Sequence, residues 1–302
     1  MENFITMLNT QMILLIYLLV GVYARKRRII TPQSRQSLVD LIIRIALPCL
    51  IFQSFGQDIT LQEAKNASQI LLLSFGVCFG SMLLGKLLYR RYPYEKSSIL
   101  RYGTLITNAS FAGMTIISGA YGQKALFYAS VFIIPNRIFM WSAGISLFTQ
   151  ADLKTRIKNV VLSPGIIAIA LGVLRTIAQF HLPPLFDTVI QNIGNCTSPI
   201  SMIVIGAILA DIDVKTVIEP SVCYLAAVRL LLIPLTVMCI MKALRLDPML
   251  VTVATVMSGM PVGTTTALLA EQYGADSYFG SKCIFLTTAL SMVTVPILTL
   301  FL

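Results

Sequence analysis

Charge is scarce in this chain. Only 12% of its residues are Asp, Glu, Lys or Arg, about half the ~25% usual in soluble domains. So little polarity cannot clothe a water-facing surface, which excludes a soluble globular protein. Histidine and tryptophan occur once each. With one histidine (His181, in a loop before Pro183-Pro184), no HExxH, no GxSxG and no paired mid-span aspartates, the sequence argues against an intramembrane enzyme. The six cysteines, Cys49, Cys78, Cys196, Cys223, Cys239 and Cys283, lie inside apolar runs without CxxC spacing. They suggest neither a disulfide framework nor a metal cluster, and read as small buried hydrophobes. The start, Met1-Glu2-Asn3-Phe4, lacks the basic stretch of a signal peptide, so the first apolar run is expected to be a retained helix. Basic residues outnumber acidic ones 23 to 13. They are not interleaved with stacking aromatics, so no nucleic-acid partner is expected.

What is abundant is hydrophobicity, at 56% of residues. Apolar segments of spanning length fall at about 5–24, 37–56, 68–90, 99–120, 124–149, 160–179, 185–210, 217–241, 249–270 and 280–302. The fold class expected is an all-α membrane protein of ten transmembrane helices with short loops. Asp40, Arg44, Asn192 and Asn195 interrupt the second and seventh segments, which suggests faces turned to protein or water.

The charge bias orients the chain. With the N-terminus outside, fifteen basic residues fall on the inside: Arg25, Lys26, Arg27, Arg28, Arg35, Lys86, Arg90, Arg91, Lys96, Arg101, Lys154, Arg156, Lys158, Lys215 and Lys282. Four fall outside: Lys65, Lys124, Lys242 and Arg245. Positive charge favours the cytoplasmic side, so both termini are expected outside a bacterial inner membrane or plasma membrane.

The two halves echo one another. Pro48 and Pro199, Tyr121-Gly122 and Tyr273-Gly274, Phe127 and Phe279, and Gly113 and Gly263 fall at nearly one offset, half the chain length. The expected division is 1–150 and 151–302, five helices each. An odd number of crossings makes the second copy inverted, as in many secondary transporters.

Helix 4 carries Asn108, Ser110 and Gly113 at its middle, and helix 9 carries Ser258-Gly259-Met260-Pro261-Val262-Gly263-Thr264-Thr265-Thr266. Asn and Ser compete with the helix for backbone hydrogen bonds, Gly loosens it, and Pro removes a donor. Both helices are therefore expected to break at mid-membrane, where unpaired peptide groups must find protein, water or ligand. Half-helix N-termini suit a carboxylate. The alternative use of such residues is close helix packing. Asn136 and Arg137 in helix 5 and Arg229 in helix 8 are further candidates, since an intramembrane arginine needs a partner; each arginine is either a substrate ligand or a structural partner of carbonyls. Asn195, Thr197, Ser198 and Pro199 in helix 7, with Arg44, Pro48 and Gln53 in helix 2, line the same cavity or fasten the two helices. Asp40 and Arg44 are spaced to pair. Arg175 is expected to snorkel, Asp211 and Asp213 to lie in solvent, and Glu271 to serve as a proton or cation site or as a solvated helix end.

Met260-Pro-Val-Gly-Thr-Thr-Thr-Ala-Leu-Leu-Ala-Glu-Gln-Tyr-Gly274 resembles the helix 9 signature of the auxin efflux carrier family of transporters. Ala46-Leu-Pro-Cys-Leu-Ile-Phe52, Asn108 through Gly113, and Pro135-Asn136-Arg-Ile-Phe139 resemble its helix 2, 4 and 5 patterns. The resemblance spans the chain. It implies crossing helices 4 and 9, an elevator-like transport domain of helices 3–5 and 8–10, and a scaffold of helices 1, 2, 6 and 7, often a homodimer. It implies small organic anions such as malate, malonate or auxin-like carboxylates, with Asn108 and Pro261 carried over as substrate-site residues. Ser110, Gly113, Asn136, Arg137, Ser258, Met260, Gly263, Thr264 and Thr265 complete the candidate site, and Asn195, Thr197, Arg229 and Glu271 are candidates for cavity or coupling. Met114 stands where members commonly place proline, so the helix 4 break is expected to rest on Gly113 and Ser110. No cofactor or metal is expected beyond a coupling proton or sodium ion, and membrane lipids are the other partners. A cation/proton antiporter of related architecture is the alternative; it needs acidic residues at the crossing, which the centres of helices 4 and 9 lack.

Overall fold

The computed structural model describes all residues except 1, 57–59, 149–157, 159–160, 181 and 212–215; the side chains of residues 2–8, 10, 11, 141, 145, 268, 271 and 272 also lie outside the description. The regular structure is helical: α1 Glu2–Lys26, α2 Pro32–Ser54, α3 Leu61–Leu88, α4 Tyr94–Leu105, α5 Ala109–Gly144, α6 Pro164–Ile177, α7 Pro184–Leu209, α8 Pro220–Ala243, α9 Pro248–Ser258, α10 Thr265–Gln272 and α11 Ser277–Thr299. Six of them, α2, α3, α5, α7, α8 and α11, are long and apolar enough to cross a bilayer by length and composition.

Local sequence sets where these helices begin. Pro32, Pro164, Pro184, Pro220 and Pro248 occupy the first turns of α2, α6, α7, α8 and α9. A first-turn amide has no intrahelical acceptor, so proline forfeits nothing there. Thr31 and Thr60 close capping boxes with Ser34 and Glu63, and Asp247 and Asp276 cap α9 and α11. Interior prolines act differently. Pro48 and Pro234 each follow a π-helical turn, at Ile42–Ala46 and Val228–Leu232, where the missing amide is absorbed by a wider backbone turn.

The outer surface is strongly apolar. Leu72, Leu87, Leu171, Leu174, Ile177 and Val293 are largely exposed, as suits a solvent of acyl chains. The core is centred on α5, where Leu126, Tyr128, Ala129 and Ile133 are fully buried. Ser54 and Ser130 share a hydroxyl hydrogen bond of 2.8 Å, and Ser74 donates to the Phe132 carbonyl at 2.6 Å, tying α5 to α2 and α3. On its other side α5 packs on α9. Cys78 and Cys283 are buried, whereas Cys196, Cys223 and Cys239 are exposed, correcting the reading of all six as interior residues.

Details of one half recur in the other. Gly21 of α1 meets the backbone of Ile203 in α7, and Gly172 of α6 meets the Phe55 side chain beyond α2. Arg28 and Gln179, just past α1 and α6, both take left-handed φ, at 58° and 49°. Arg25 donates to the Ile30 carbonyl and Arg175 to the Phe180 carbonyl, five residues on in each case. Gly122 and Gly274 are the two glycines described with positive φ, at 75° and 73°. Each follows the tyrosine of a Tyr-Gly pair and reverses the chain with a conformation that glycine adopts without steric cost. Gly122 divides α5 into two helices.

Candidate functional site

Two interruptions meet inside the bundle. Between α4 and α5 the chain leaves helical geometry at Ile106, Thr107 and Asn108; between α9 and α10 it does so from Gly259 to Thr264. The two stretches run antiparallel, with a single β-bridge pairing Thr107 and Val262. The Asn108 amide donates to the Pro261 carbonyl at 2.8 Å, and the Gly263 amide donates to the Ile106 carbonyl at 3.1 Å. Gly263 permits this approach: a Cβ there would lie 3.1 Å from Ile106 Cγ2 and 3.3 Å from the Thr107 oxygen. Gly113, a turn into α5, has the same function, since a Cβ there would lie 2.9 Å from Met257 Sδ and 3.0 Å from Met260 Cγ.

Helices that stop in the interior leave their last carbonyls unpaired, and in a dry environment each must find a donor. Arg229 answers most of that need. Its guanidinium, fully buried, donates from Nη1 to the Thr104 carbonyl at 2.9 Å, from Nε to the Met260 carbonyl at 3.1 Å, and from Nη2 to the Ser258 carbonyl. One cation thus serves the C-terminal ends of both α4 and α9, where helix dipoles concentrate negative charge. The Val262 amide is taken by Thr287 Oγ1 at 3.1 Å. Arg229 is enclosed by protein with its donors on three helix-end carbonyls, the arrangement of a structural clamp and one of the two readings the sequence offers for it.

At the opposite ends, the N-termini of α5 and α10, some first-turn amides are taken locally, Ala109 by the Thr107 hydroxyl at 3.1 Å and Thr266 by the Gly263 carbonyl at 3.0 Å. Asn108 caps α5: its carbonyl accepts from Ala112 and Gly113, while its side-chain Nδ2, buried, has no hydrogen-bond partner. Thr264 and Thr265 open α10 and are half-buried. The Thr265 hydroxyl lies 3.0 Å from the Tyr102 hydroxyl. A cavity of about 290 Å³ reaches this end, lined by Phe111 of α5, Thr264 and Thr265, Ser277, Tyr278 and Ser281 of α11, Val39 to Ile43 on α2, and Ser201 to Ile208 on α7. Arg35 and Asp211 stand in its wall as an ion pair of 3.1 Å, with Arg25 on the second oxygen of Asp211 at 2.7 Å.

Other expected residues lie elsewhere. Ser110, Asn136, Ser258 and Met260 are buried. Arg137 is half-buried, and its Nε lacks a partner. Thr197 is fully buried and its hydroxyl is unpaired. Asn195 is exposed, ends the first helical stretch of α7 before the turn at Cys196, and is not among the residues that line this cavity. Arg44 is also outward, its side chain 72% exposed and loosely paired with Asp40 at 4.0 Å. Arg175 is buried, not snorkelling, and bonds Asp187 at 3.0 Å. Asp211 is bound by two arginines instead of by solvent alone. The Glu271 side chain, His181 and Asp213 lie outside the described residues. Arg35 and Tyr278 were not singled out from sequence; a basic residue at a helix start facing a polar position on a neighbouring helix is a weak signal that only the packing sharpens.

Comparison with known proteins places the chain in a family. Residues 6–159 and 151–299 match the family described as membrane transport protein. An uncharacterised transporter of Methanothermobacter thermautotrophicus is 23% identical over 297 residues, covering 96% of each chain. An uncharacterised transporter of Methanocaldococcus jannaschii is 21% identical over 302 residues, covering 96% of this chain and 97% of its own. The chain is an all-helical, multi-pass membrane protein, and it belongs to the membrane transport protein family, that of the auxin efflux carriers.

Proposed function

We propose that this transporter is a secondary carrier of small organic anions, malate- or malonate-like carboxylates foremost, that binds its substrate at the crossing of the two broken helices. The observation that carries the reading is the cavity of about 290 Å³ ending at Thr264 and Thr265. There an anion meets the first turn and hydroxyls of α10, and the unpaired side-chain Nδ2 of Asn108 lies in the adjoining crossing. Arg229 binds the negative helix ends behind the crossing, which leaves the positive ends to the ligand.

The ten-span reading divides the chain at about residue 150 into two inverted halves. It draws support from the recurring pairs Gly21 and Gly172, Arg28 and Gln179, and Gly122 and Gly274. On this reading helices 1, 2, 6 and 7, here α1, α2, α6 and α7, form a fixed scaffold. The segments α3–α5 and α8–α11 form a moving unit, and the cavity lies along the boundary between them. With both termini outside, the cavity's Arg35 and Asp211 wall faces the cytoplasm, an inward-facing arrangement. The exposed Arg44 and Asn195 on α2 and α7 cannot rest against acyl chains without cost, which supports a homodimer through the scaffold. A coupling proton or sodium ion belongs to the same proposal.

Purified protein in proteoliposomes tests the central claim. Radiolabelled malate and malonate are expected to accumulate against control liposomes, with excess unlabelled dicarboxylate competing. Absence of flux for every dicarboxylate, monocarboxylate and auxin-like acid tried would remove the reading. A pH-sensitive dye responding to sodium or lithium pulses instead would favour the cation antiporter.

A further inference from the structure

We infer that a second site, distinct from the crossing, binds the phosphate head group of an anionic phospholipid between the end of α3 and the start of α4. A concave surface of about 630 Å³ lies there. Three cations line it: Lys86 in the last turn of α3, Arg90 just beyond, and Arg101 on α4. Tyr92 and Tyr94 form its aromatic wall, and Leu83 and Leu87 its apolar lip.

The basic residues on this side are not all alike. Arg25 and Arg35 share Asp211, and Lys96 and Lys282 share Glu219. Among the described residues, Lys86, Arg90 and Arg101 have no carboxylate within 4.0 Å. A topological signal requires basic residues in the loop but no concavity; three cations without a carboxylate, gathered around one concave surface, suit an anion. Arg101 is positioned by packing, its Cα lying 3.4 Å from where a Cβ on Gly85 would stand. The first turn of α4 contributes Tyr94 and Ser97 to the wall.

A lipid is the occupant because of what continues from the lip. Leu87, Leu83, Phe79 and Leu72 descend α3 as exposed apolar side chains. A bound head group would place its acyl chains along them. Basic pockets between spanning helices, at the end of the apolar stretch, suit such head groups.

The test uses the full chain in nanodiscs of phosphatidylcholine with and without phosphatidylglycerol. Bound lipid is read by native mass spectrometry after detergent extraction. Phosphatidylglycerol is expected to be retained over phosphatidylcholine, and each Lys86→Gln, Arg90→Gln or Arg101→Gln substitution to weaken retention by roughly fivefold. Arg27→Gln with Arg28→Gln, which removes charge from the same side outside the pocket, is expected to leave retention unchanged. Thermal unfolding confirms that each variant is folded; a Lys86→Arg variant, which keeps the charge, is expected to retain lipid if Lys86→Gln proves unstable. Equal retention of both lipids, or equal loss in the Arg27/Arg28 variant, would overturn the site. Displacement of the lipid by inorganic phosphate at comparable concentration would overturn its assignment to a lipid.

Discussion

The Asn108 amide and the Pro261 carbonyl, 2.8 Å apart, join two chain segments separated by half the sequence. Neither group has a helical partner at that point, and each supplies what the other lacks. The pairing leaves Gly263 no room for a side chain, since a Cβ would crowd Ile106 and the Thr107 oxygen at 3.1–3.4 Å. Gly263→Ala is expected to cost about 1–3 kcal/mol through overpacking. Gly263→Val is expected to separate the strands and abolish uptake. Counting transport per molecule of membrane-inserted protein checks this; a Gly263→Val variant with normal specific uptake would show that the pairing is dispensable.

Asn108 itself offers a sharper separation of binding from folding. Its Nδ2 is buried without a partner, so removing it sacrifices no internal hydrogen bond. Asn108→Ala is expected to leave the unfolding temperature near that of the unaltered protein. A hydrogen bond to a charged ligand is worth about 1.5–3 kcal/mol, so apparent substrate affinity is expected to fall about ten- to a hundredfold. Uptake measured across a substrate concentration series distinguishes the two effects. A destabilised variant with unaltered affinity would assign Asn108 to structure alone.

Arg229 makes the opposite prediction. Arg229→Met strands the carbonyls of Thr104, Ser258 and Met260 in the interior. Unsatisfied buried groups cost about 1–3 kcal/mol each, so the variant is expected to unfold at markedly lower temperature in detergent. Arg229→Lys keeps the charge but offers fewer, differently directed donors, and is expected to fall between the two. Fluorescence-detected thermal unfolding is sufficient to rank them, and parity between Arg229→Met and the unaltered protein would refute the clamp.

Acid is expected to loosen one surface contact. The Lys96 ammonium bonded to Glu219 holds its carboxyl below the usual range, helped by the Ser221 hydroxyl. A carboxyl whose folded pKa is depressed adds stability above its unfolded pKa, and that contribution fades as pH falls through the folded value. Glu219 is partly exposed, so the effect is modest. The difference in unfolding temperature between the unaltered protein and Glu219→Gln is expected to be largest near neutrality and to vanish in acid. A difference that grew as pH fell would reverse the sign and reject this account.

Much of this architecture is legible from residue patterns, for identifiable reasons. Gly259, Pro261 and Gly263 mark the second break chemically, because proline and glycine cannot sustain a helix without help. The first break is less visible. It falls at Ile106 to Asn108, a few residues before the Gly113 on which attention settles, and no proline or glycine occupies it. Those residues leave the helix partly through local chemistry, since the Thr107 hydroxyl accepts from the Ala109 amide, and partly because the facing segment offers hydrogen bonds that no local pattern encodes. That Arg229 partners carbonyls is one of the readings its sequence position offers, but which carbonyls is hidden for a related reason. Its acceptors belong to chain segments far away in sequence, although two interior helix ends imply that some buried donor must exist. Asn195 misleads because a turn at Cys196 divides α7: it ends the stretch before that turn, whereas the cavity-lining Ser201 and Ile205 belong to the stretch after it. Gly21 and Gly172 escape notice because a glycine in an apolar span looks ordinary until a neighbouring helix is seen resting on it.

The contact of α1 with α7 has a practical consequence. Gly21 lies against the Ile203 backbone and Gly206 against that of Leu18, so main chain touches main chain with no intervening layer of side chains to shear. Spin labels or fluorophores on the flanks of these two rods should report one constant separation throughout turnover. That pair gives an internal ruler, against which a label on α10 tests the proposed movement of its unit: a changing distance supports it and a fixed one rejects it.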